Sequence, residues 1–572
     1  MVLEKIKKIF FSINRESQTI TSAAIIIGGL SLVSRIIGIF RDRILASQFG
    51  VGDTLDVYYA AFRLPDLVYN LLILGAISAG LIPVFTTLMS KKKDAEAWML
   101  INRVLNLMFL ALLLVCCLLF IFAPWIVPLI TPGFDAEKTS LVIVLSRIMF
   151  LSPLLLGLSA IFSSVLQSFR KFLIYSLAPI FYNLGIILGA LYFVPLWGIY
   201  GLAWGVVLGA GIHMIVQLIP MFFVGFKYKL DFNFRDKNVF EVMKMMIPRT
   251  ISLAITQINF VIITIIASTL AAGSLTIFNL ANNLQNFPLG IFGISLGVAS
   301  LPILSALAAE DKMKKFSLVV GSTFRQILFF IFPISVLFYV LRAQIVRVIL
   351  GAGEFGWQDT RLTAACLAIF CFGLFAQGTY PLVIRGFYAL HNTKTPFYVG
   401  ISSMVINVIA MLIFRWAFSF VNDFSFFVTA MLRLTDLWGS VDFRILAVPS
   451  AITVSAIFEL STLLFLLRRK VGDIDGVKIF DSGVRIIFAS LGAGLLAYLT
   501  LNIIDDYVSM QKFFGILIQG ASAGLVGVAG YVLLGYVLNM EEMYTFINSF
   551  KVKLFKRAVV MAEDNISEGD KG

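Results

Sequence analysis

The segment LVSRIIGIFRDRILASQFG places Arg35, Arg41, Asp42 and Arg43 in one otherwise apolar stretch, with Asp56 a short loop further on. Guanidinium groups held out of bulk water pair bidentately with phosphate or carboxylate, so this set points to anion recognition. On an ideal helix Asp42 falls about 20° from Arg35 and Arg41 about 120° from it. Both arginines face one cavity if it is wide or if the helix bends, and Gly28, Gly29 and Gly38 permit a bend. Alternatively, Arg41, Asp42 and Arg43 stand at a membrane boundary as solvated anchors. Arg63 and Asp66, around Pro65 in FRLPDLVYN, form an ion pair or a helix-entry motif. Arg249 follows Pro248 in IPRTISLAITQINF and is either a binding group or a basic anchor. Asn279, Asn282, Asn283, Gln285 and Asn286 add uncharged hydrogen-bonding groups, suited equally to a ligand and to contacts between helices.

Other chemistries are weakly represented. His213 and His391 are the only histidines and lie far apart, which argues against a histidine metal site or a histidine-based proton relay. Cys116, Cys117, Cys366 and Cys371 all sit in apolar runs and read as small buried hydrophobes, with no metal spacing or disulfide framework. No pair of aspartates stands at helical spacing within a span, so a membrane glycosyltransferase or lipid phosphatase lacks its acid and base. The chain is not expected to be an enzyme. GxxxxGK[ST] is absent, so any transport draws on an ion gradient, the membrane potential or substrate flow rather than nucleotide hydrolysis. No cofactor or metal and no nucleic-acid partner is expected.

The elements that must position these groups follow from composition. Of 572 residues 59% are hydrophobic and 13% charged, against about 25% charged in a soluble chain. Such a chain is a polytopic membrane protein. Apolar runs far longer than barrel strands cross the bilayer as helices, each needing about 20 residues. Fourteen windows qualify: 21–45, 57–89, 101–129, 140–168, 173–195, 197–225, 242–271, 274–308, 323–350, 360–390, 395–421, 447–468, 484–505 and 511–538. The least regular are 57–89 and 274–308. Loops after even-numbered spans are basic, as with Lys91, Lys92 and Lys93, or Arg468, Arg469 and Lys470. Loops after odd-numbered spans carry almost no base. This alternation places both termini in the cytoplasm, and most of the net charge of +13 is a topology signal. The external loop 422–446 has room for a short interfacial helix.

The chain also repeats itself. GAISAGLIPVFTTLMSKKKDAEAW, around Gly75, resembles GISLGVASLPILSALAAEDKMKKF, around Gly293, with Pro83 aligned to Pro302 at an offset of about 219 residues. LITPGFDAEKT, near Gly133, resembles VILGAGEFGWQDT, near Gly351 and Gly353, and Pro179 pairs with Pro396 at a similar spacing. The offset covers six spans, an even number, so the halves share one orientation. The expected fold is all-α: two parallel six-helix lobes around a central cavity, plus two C-terminal helices, an arrangement typical of transporters. The segments are a basic cytoplasmic N-terminus at 1–20, an N-lobe at 21–225 and a C-lobe at 226–470. Two groove-lining spans at 471–540 and a cytoplasmic tail at 541–572 complete the chain.

SRIIGIFRD followed by DVYYAAFRLPD, FPLGIFGISLGVASLPILS and RGFYALHNTKTPF resembles the MurJ/MviN lipid II flippases of the multidrug/oligosaccharidyl-lipid/polysaccharide exporter superfamily, from about residue 20 to 540. The resemblance implies movement of undecaprenyl-pyrophosphate-linked peptidoglycan precursor, lipid II, from the inner to the outer leaflet of the bacterial cytoplasmic membrane. It implies that Arg35 and Arg41, beside Asp42 and Asp56, hold the pyrophosphate, while spans thirteen and fourteen form a groove for the lipid tail. Membrane lipids, and cell-wall synthesis proteins, are the implied partners of a monomeric protein.

The sequence departs from the family at several positions. Tyr69 stands where the family has an arginine, Leu74 where it has an acid, and Asn282 and Asn283 where it has an Asp-Arg pair. Arg63 or Arg249 then supplies the missing positive charge. Neither span seven nor span eleven offers a carboxylate for sodium, which leaves the membrane potential as the simpler drive. The alternatives are a flippase for another polyprenyl-pyrophosphate glycan, a drug exporter, for which the cavity is too basic, or a non-transporting scaffold of a cell-wall complex.

Overall fold

The computed structural model describes residues 20–74, 77–233, 235–509 and 512–547, with side chains described outside 20–25, 74, 77–79, 247–249 and 251–253. The basic N-terminus at 1–19, Gly75 and the tail beyond residue 547 lie outside the described residues, as do the side chains of Arg249 and Leu74. Within them the chain is helical. In order the helices are α1 (Ile20–Phe49), α2 (Asp53–Ala61), α3 (Arg63–Tyr69), α4 (Ile77–Ser90), α5 (Asp94–Ile130), α6 (Ala136–Met149), α7 (Leu151–Ser168), α8 (Phe172–Leu188), α9 (Val194–Trp197), α10 (Tyr200–Phe223) and α11 (Lys237–Ser268). There follow α12 (Ser274–Pro288), α13 (Ser295–Ala309), α14 (Met313–Val340), α15 (Arg342–Leu350), α16 (Trp357–Ala389), α17 (Lys394–Ala417), α18 (Asp423–Met431), α19 (Ala447–Val471), α20 (Gly476–Asp505) and α21 (Phe513–Val537).

Among the described residues eleven helical segments are long and apolar enough to cross a membrane. Three of the fourteen expected windows, 21–45, 57–89 and 242–271, are outside that set, and each includes residues or side chains outside the described ones. The helix over 21–45 carries Arg35, Arg41, Asp42 and Arg43. The window 57–89 is broken into α2, α3, a π-helical turn at Asn70–Leu74 and α4. The window 242–271 falls on the single helix α11, whose side chains at 247–249 and 251–253 lie outside the described residues. The other irregular window, 274–308, is broken in the same place of its repeat, by a π turn at Leu289–Ile294 between α12 and α13. Such turns interrupt the i→i−4 ladder and mark sites where a helix must change direction. Leu110, Leu114, Phe120, Ile121 and Trp125 of α5 face outward, as expected where lipid replaces water. Cys116, Cys366 and Cys371 are buried; Cys117, expected to be buried with them, is exposed on this same outward face of α5. An apolar run in a membrane helix supplies the lipid face as well as the core, so hydropathy could not separate the two.

The helices gather into two compact units. Of the described residues, one holds those up to Leu280 with two returning segments, Ile349–Leu362 and Leu437–Val448; the other holds Ala281–Val348, Thr363–Asp436 and those from Pro449 on. Within the first unit α8 and α10 approach through glycines. A Cβ on Gly185 would meet the Cα of Gly209, and one on Gly189 the Cα of Gly205. Small residues at such crossings let backbones touch, which is the main source of packing energy where no hydrophobic effect acts between helices.

The repeat reappears as reciprocal contacts within this unit. The backbone of Gly133, in the first repeat, lies against Ser268 at the C-terminal end of α11 and donates to its hydroxyl at 3.4 Å. Gly353, its counterpart in the second repeat, lies against Ser47 near the C-terminal end of α1, and the amide of Glu354 donates to the Ser47 carbonyl at 2.9 Å. Each repeat's loop therefore docks on the other repeat's helix. Within the second unit, Gly293 and Gly378 make a similar close backbone crossing.

Candidate functional site

Two of the charged residues of α1, Arg41 and Asp42, form a compact cluster with Asn183 in the first unit. Arg41 donates to Asp42 Oδ1 from Nε at 3.0 Å and from Nη2 at 2.7 Å, and to Asn183 Oδ1 of α8 from Nη1 at 3.0 Å. Asn183 in turn donates to the Pro179 carbonyl, one turn back, at 3.1 Å. Asp42 is 5% exposed while Arg41 stays partly accessible. A cation anchored on one edge and open on another is arranged to receive an anion without losing its orientation. Arg35 lies half-buried on the same helix, two turns earlier. Arg43 turns instead to the Ile349 carbonyl, at 3.0 Å, and ties α1 to a returning segment.

Asp56, expected beside the ligand, is 2% exposed and caps α12. Its Oδ1 accepts from the Thr276 amide and hydroxyl, and its Oδ2 from the Gly273 amide at 2.7 Å. Helix N-termini leave amides unpaired, and a carboxylate there satisfies them and complements the helix dipole. Arg63 is equally committed. Among the described residues it bonds to Thr264 Oγ1 at 2.7 Å and Asn279 Oδ1 at 2.9 Å rather than to Asp66, and its guanidinium lies over the Phe260 ring. Asn282 accepts from Gln285 at 2.9 Å, and Gln285 also accepts from Gln377 at 3.3 Å. Asn283 is half-buried beside it on α12. Arg249 lies on α11, its side chain outside the described residues.

Four polar residues of the interior lie outside the expected site, Asp66 being expected only as the ion-pair or helix-entry partner of Arg63. Asp66 and His213 share the wall of a cavity of about 250 Å³, with Tyr69, Asn70, Ser152 and Tyr182. Glu459 of α19 accepts from Ser403 of α17 at 3.1 Å. Asn183 supplies the partner of Arg41. Each is a polar residue isolated in an apolar run, and that isolation is the signal that marks it.

The described residues form an all-helical chain with eleven segments long and apolar enough to cross a membrane and a cationic cluster fixed inside one helical unit. Its fold is that of the membrane transporters of the multidrug/oligosaccharidyl-lipid/polysaccharide exporter superfamily. An inward-facing structure of a multidrug-resistance MATE transporter from that superfamily, 14% identical, superposes with a TM-score of 0.60 over 79% of this chain and 99% of its own. A structure titled as lipid II flippase MurJ in an inward closed conformation, 25% identical, superposes at 0.71 over 90% of this chain and 98% of its own. The family model described as "Lipid II flippase MurJ" matches residues 45–518. A probable lipid II flippase MurJ of Rhizobium tropici is 32% identical over 399 residues, 68% of this chain and 75% of the relative. The lipid II flippase MurJ of Burkholderia cenocepacia is 26% identical over 400 residues, 68% of this chain and 78% of the relative. The chain belongs to the MurJ lipid II flippase family.

Proposed function

We propose that this protein moves lipid II across the bacterial cytoplasmic membrane. The observation that carries the reading is the match of residues 45–518 to the MurJ family, joined to a close structural likeness over 90% of the chain. The headgroup diphosphate is an anion, and the Arg41–Asp42–Asn183 cluster, with Arg35 two turns away, is the group best placed to hold it. Asp42 and Asn183 fix the guanidinium plane while its open edge takes phosphate oxygens. Arg63 and Asp56 secure the start of α12 to α3 and α2. Alternating access by rocking of two six-helix lobes, 21–225 and 226–470, carries the headgroup, and the spans in 471–540 give the lipid tail its path. The protein acts as a monomer with both termini in the cytoplasm, driven by the membrane potential or an ion gradient, and serves the cell-wall synthesis machinery rather than catalysing a reaction.

A second reading, a flippase for another polyprenyl-pyrophosphate glycan, is favoured by the uncharged Asn282 and Asn283, which recognise a sugar as readily as a phosphate. Complementation separates the two. Expression in cells depleted of their own lipid II flippase restores growth if lipid II is the substrate. Failure to restore growth by well-expressed, membrane-inserted protein overturns the lipid II reading in favour of the second.

A further inference from the structure

The first unit holds a second cavity, of about 170 Å³, that shares Tyr69, Leu156, Pro179 and His213 with the larger one. Its wall continues through Gln217, Ser163, Ser164 and Gln167 toward the end of α7. Gln217 is fully buried; Ser163 donates to its Oε1, and its Nε2 has no hydrogen-bond partner. A buried amide nitrogen aimed at a polar cavity is a donor for a small guest such as water.

His213 lies where the two cavities meet. Its Nδ1 is 2.8 Å from the Ser159 hydroxyl, which also lies 3.2 Å from the His213 carbonyl oxygen. Serine has one proton to give. If that proton goes to the His213 carbonyl, Nδ1–H donates to the Ser159 oxygen, and Nε2 is the nitrogen left to take up a proton. Asp66, across the larger cavity, makes no side-chain hydrogen bond or ion pair among the described residues. The charges that face it are Arg63 on its own helix and Arg41 on α1, and both are held by other partners. The remaining titratable groups on these walls are the Tyr69, Tyr175 and Tyr182 hydroxyls.

We infer that Asp66 and His213 form a proton-binding pair inside the first unit, reached by water through the second cavity, and that its occupancy sets how tightly the neighbouring arginines hold an anion. One proton from water converts the Asp66 carboxylate to the neutral acid, or neutral His213 to its cation. Either event adds one positive charge near Arg41 and Arg63, and an anion bound there stabilises that charge in return. Counting histidines along the chain argues against a histidine relay; the fold supplies a carboxylate as the partner. The link to the anion rests on the proposed lipid II function, whereas proton binding itself does not.

Two measurements on the full-length protein in detergent decide the matter. Carbodiimide, which reacts with protonated carboxyl groups, is followed by peptide mass spectrometry across a pH series, with the ion-paired Asp42 as the control. Asp66 is expected to label with a definite pH midpoint, and His213→Gln or Ser159→Ala moves that midpoint by about one pH unit. An unlabelled Asp66, or a midpoint indifferent to both variants, overturns the pair. Lipid II binding is then expected to tighten as pH falls in the wild type and to lose that pH dependence in Asp66→Asn. Binding that is equally pH-dependent in Asp66→Asn overturns the coupling. No binding of lipid II at any pH overturns the flippase reading instead, and the labelling result still decides the proton site.

Discussion

Asp56 and Thr276 are joined by two hydrogen bonds to one carboxylate oxygen, from the amide at 2.8 Å and from the hydroxyl at 2.7 Å. They stand 220 residues apart, close to the repeat offset, so a side chain of the first repeat caps the equivalent helix of the second. The carboxylate is buried, and its removal strands the Gly273 and Thr276 donors. Asp56→Ala is therefore expected to destabilise the protein by at least about 3 kcal/mol, since three hydrogen bonds to a charged group, worth about 1.5–3 each, are lost. Asp56→Asn keeps one acceptor and falls in between. Thermal unfolding in detergent reads both, and an unchanged midpoint in Asp56→Ala would show that the cap carries no stability.

Arg41 and Arg35 give the complementary prediction, in which activity changes and folding does not. Arg41 is partly open, so its truncation removes little packing, although it leaves Asp42 without its partner. Arg35→Ala and Arg41→Ala should each lower lipid II translocation by at least about tenfold, the loss of one charge-assisted pair. Arg41→Lys keeps the charge without the planar fork and recovers only part of the rate. Fluorescent lipid II accessibility in vesicles measures this, with melting curves as the folding control. Wild-type rates in both alanine variants would move the anion site elsewhere.

Much of this architecture was legible in the sequence because a membrane imposes local rules. Apolar runs marked the helices, and the pairing of Pro83 with Pro302 marked the repeat. The two windows judged least regular, 57–89 and 274–308, are the two that carry matched π turns, at Asn70–Leu74 and Leu289–Ile294. The partners of the charged residues were not legible. Arg41 finds Asn183 at a separation of 142 residues, and Arg63 finds Asn279 at 216, and no periodicity within one helix encodes a contact made between two. Residue type alone placed Asp56 with the ligand-facing charges; its position at the start of α12 gives it the chemistry of a cap. Glu459 belongs to neither span seven nor span eleven in sequence; it reaches Ser403 of α17 from α19, a contact between helices that neither run encodes.

The glycine crossing of α8 and α10 yields a prediction about packing alone. A Cβ at Gly209 would meet the backbone of Tyr182, an atom set that cannot rotate away. Gly209→Val should cost about 1–3 kcal/mol or more through forced helix separation, and lower the yield of monodisperse protein. Gly211, on the same helix, has open space at its Cβ position, so Gly211→Ala is the matched control and should be neutral or slightly stabilising. Size-exclusion profiles and melting midpoints that fail to separate the two variants would deny the crossing its role.

The segment between α10 and α11 should respond to acid. Asn102 and Asn106 of α5 hold its backbone through Lys227, Lys229 and Asp231, and Arg103 bonds to Asp231 at 2.8 Å and to Asp236 at 2.5 Å. The Arg103 guanidinium draws the Asp231 carboxyl below its ordinary value of 3.8, with help from the Asn233 amide. A carboxylate whose proton affinity is lower in the folded chain stabilises the fold above the unfolded value, and that contribution fades as pH falls through the folded one. Hydrogen exchange over residues 226–236 should therefore be slow near neutrality and, after correction for the intrinsic rate, accelerate below about pH 4. In Arg103→Ala the segment should exchange faster at neutral pH, with little further change on acidification. If the wild type shows the same protection on both sides of that boundary, the Arg103–Asp231 pair does not hold the segment.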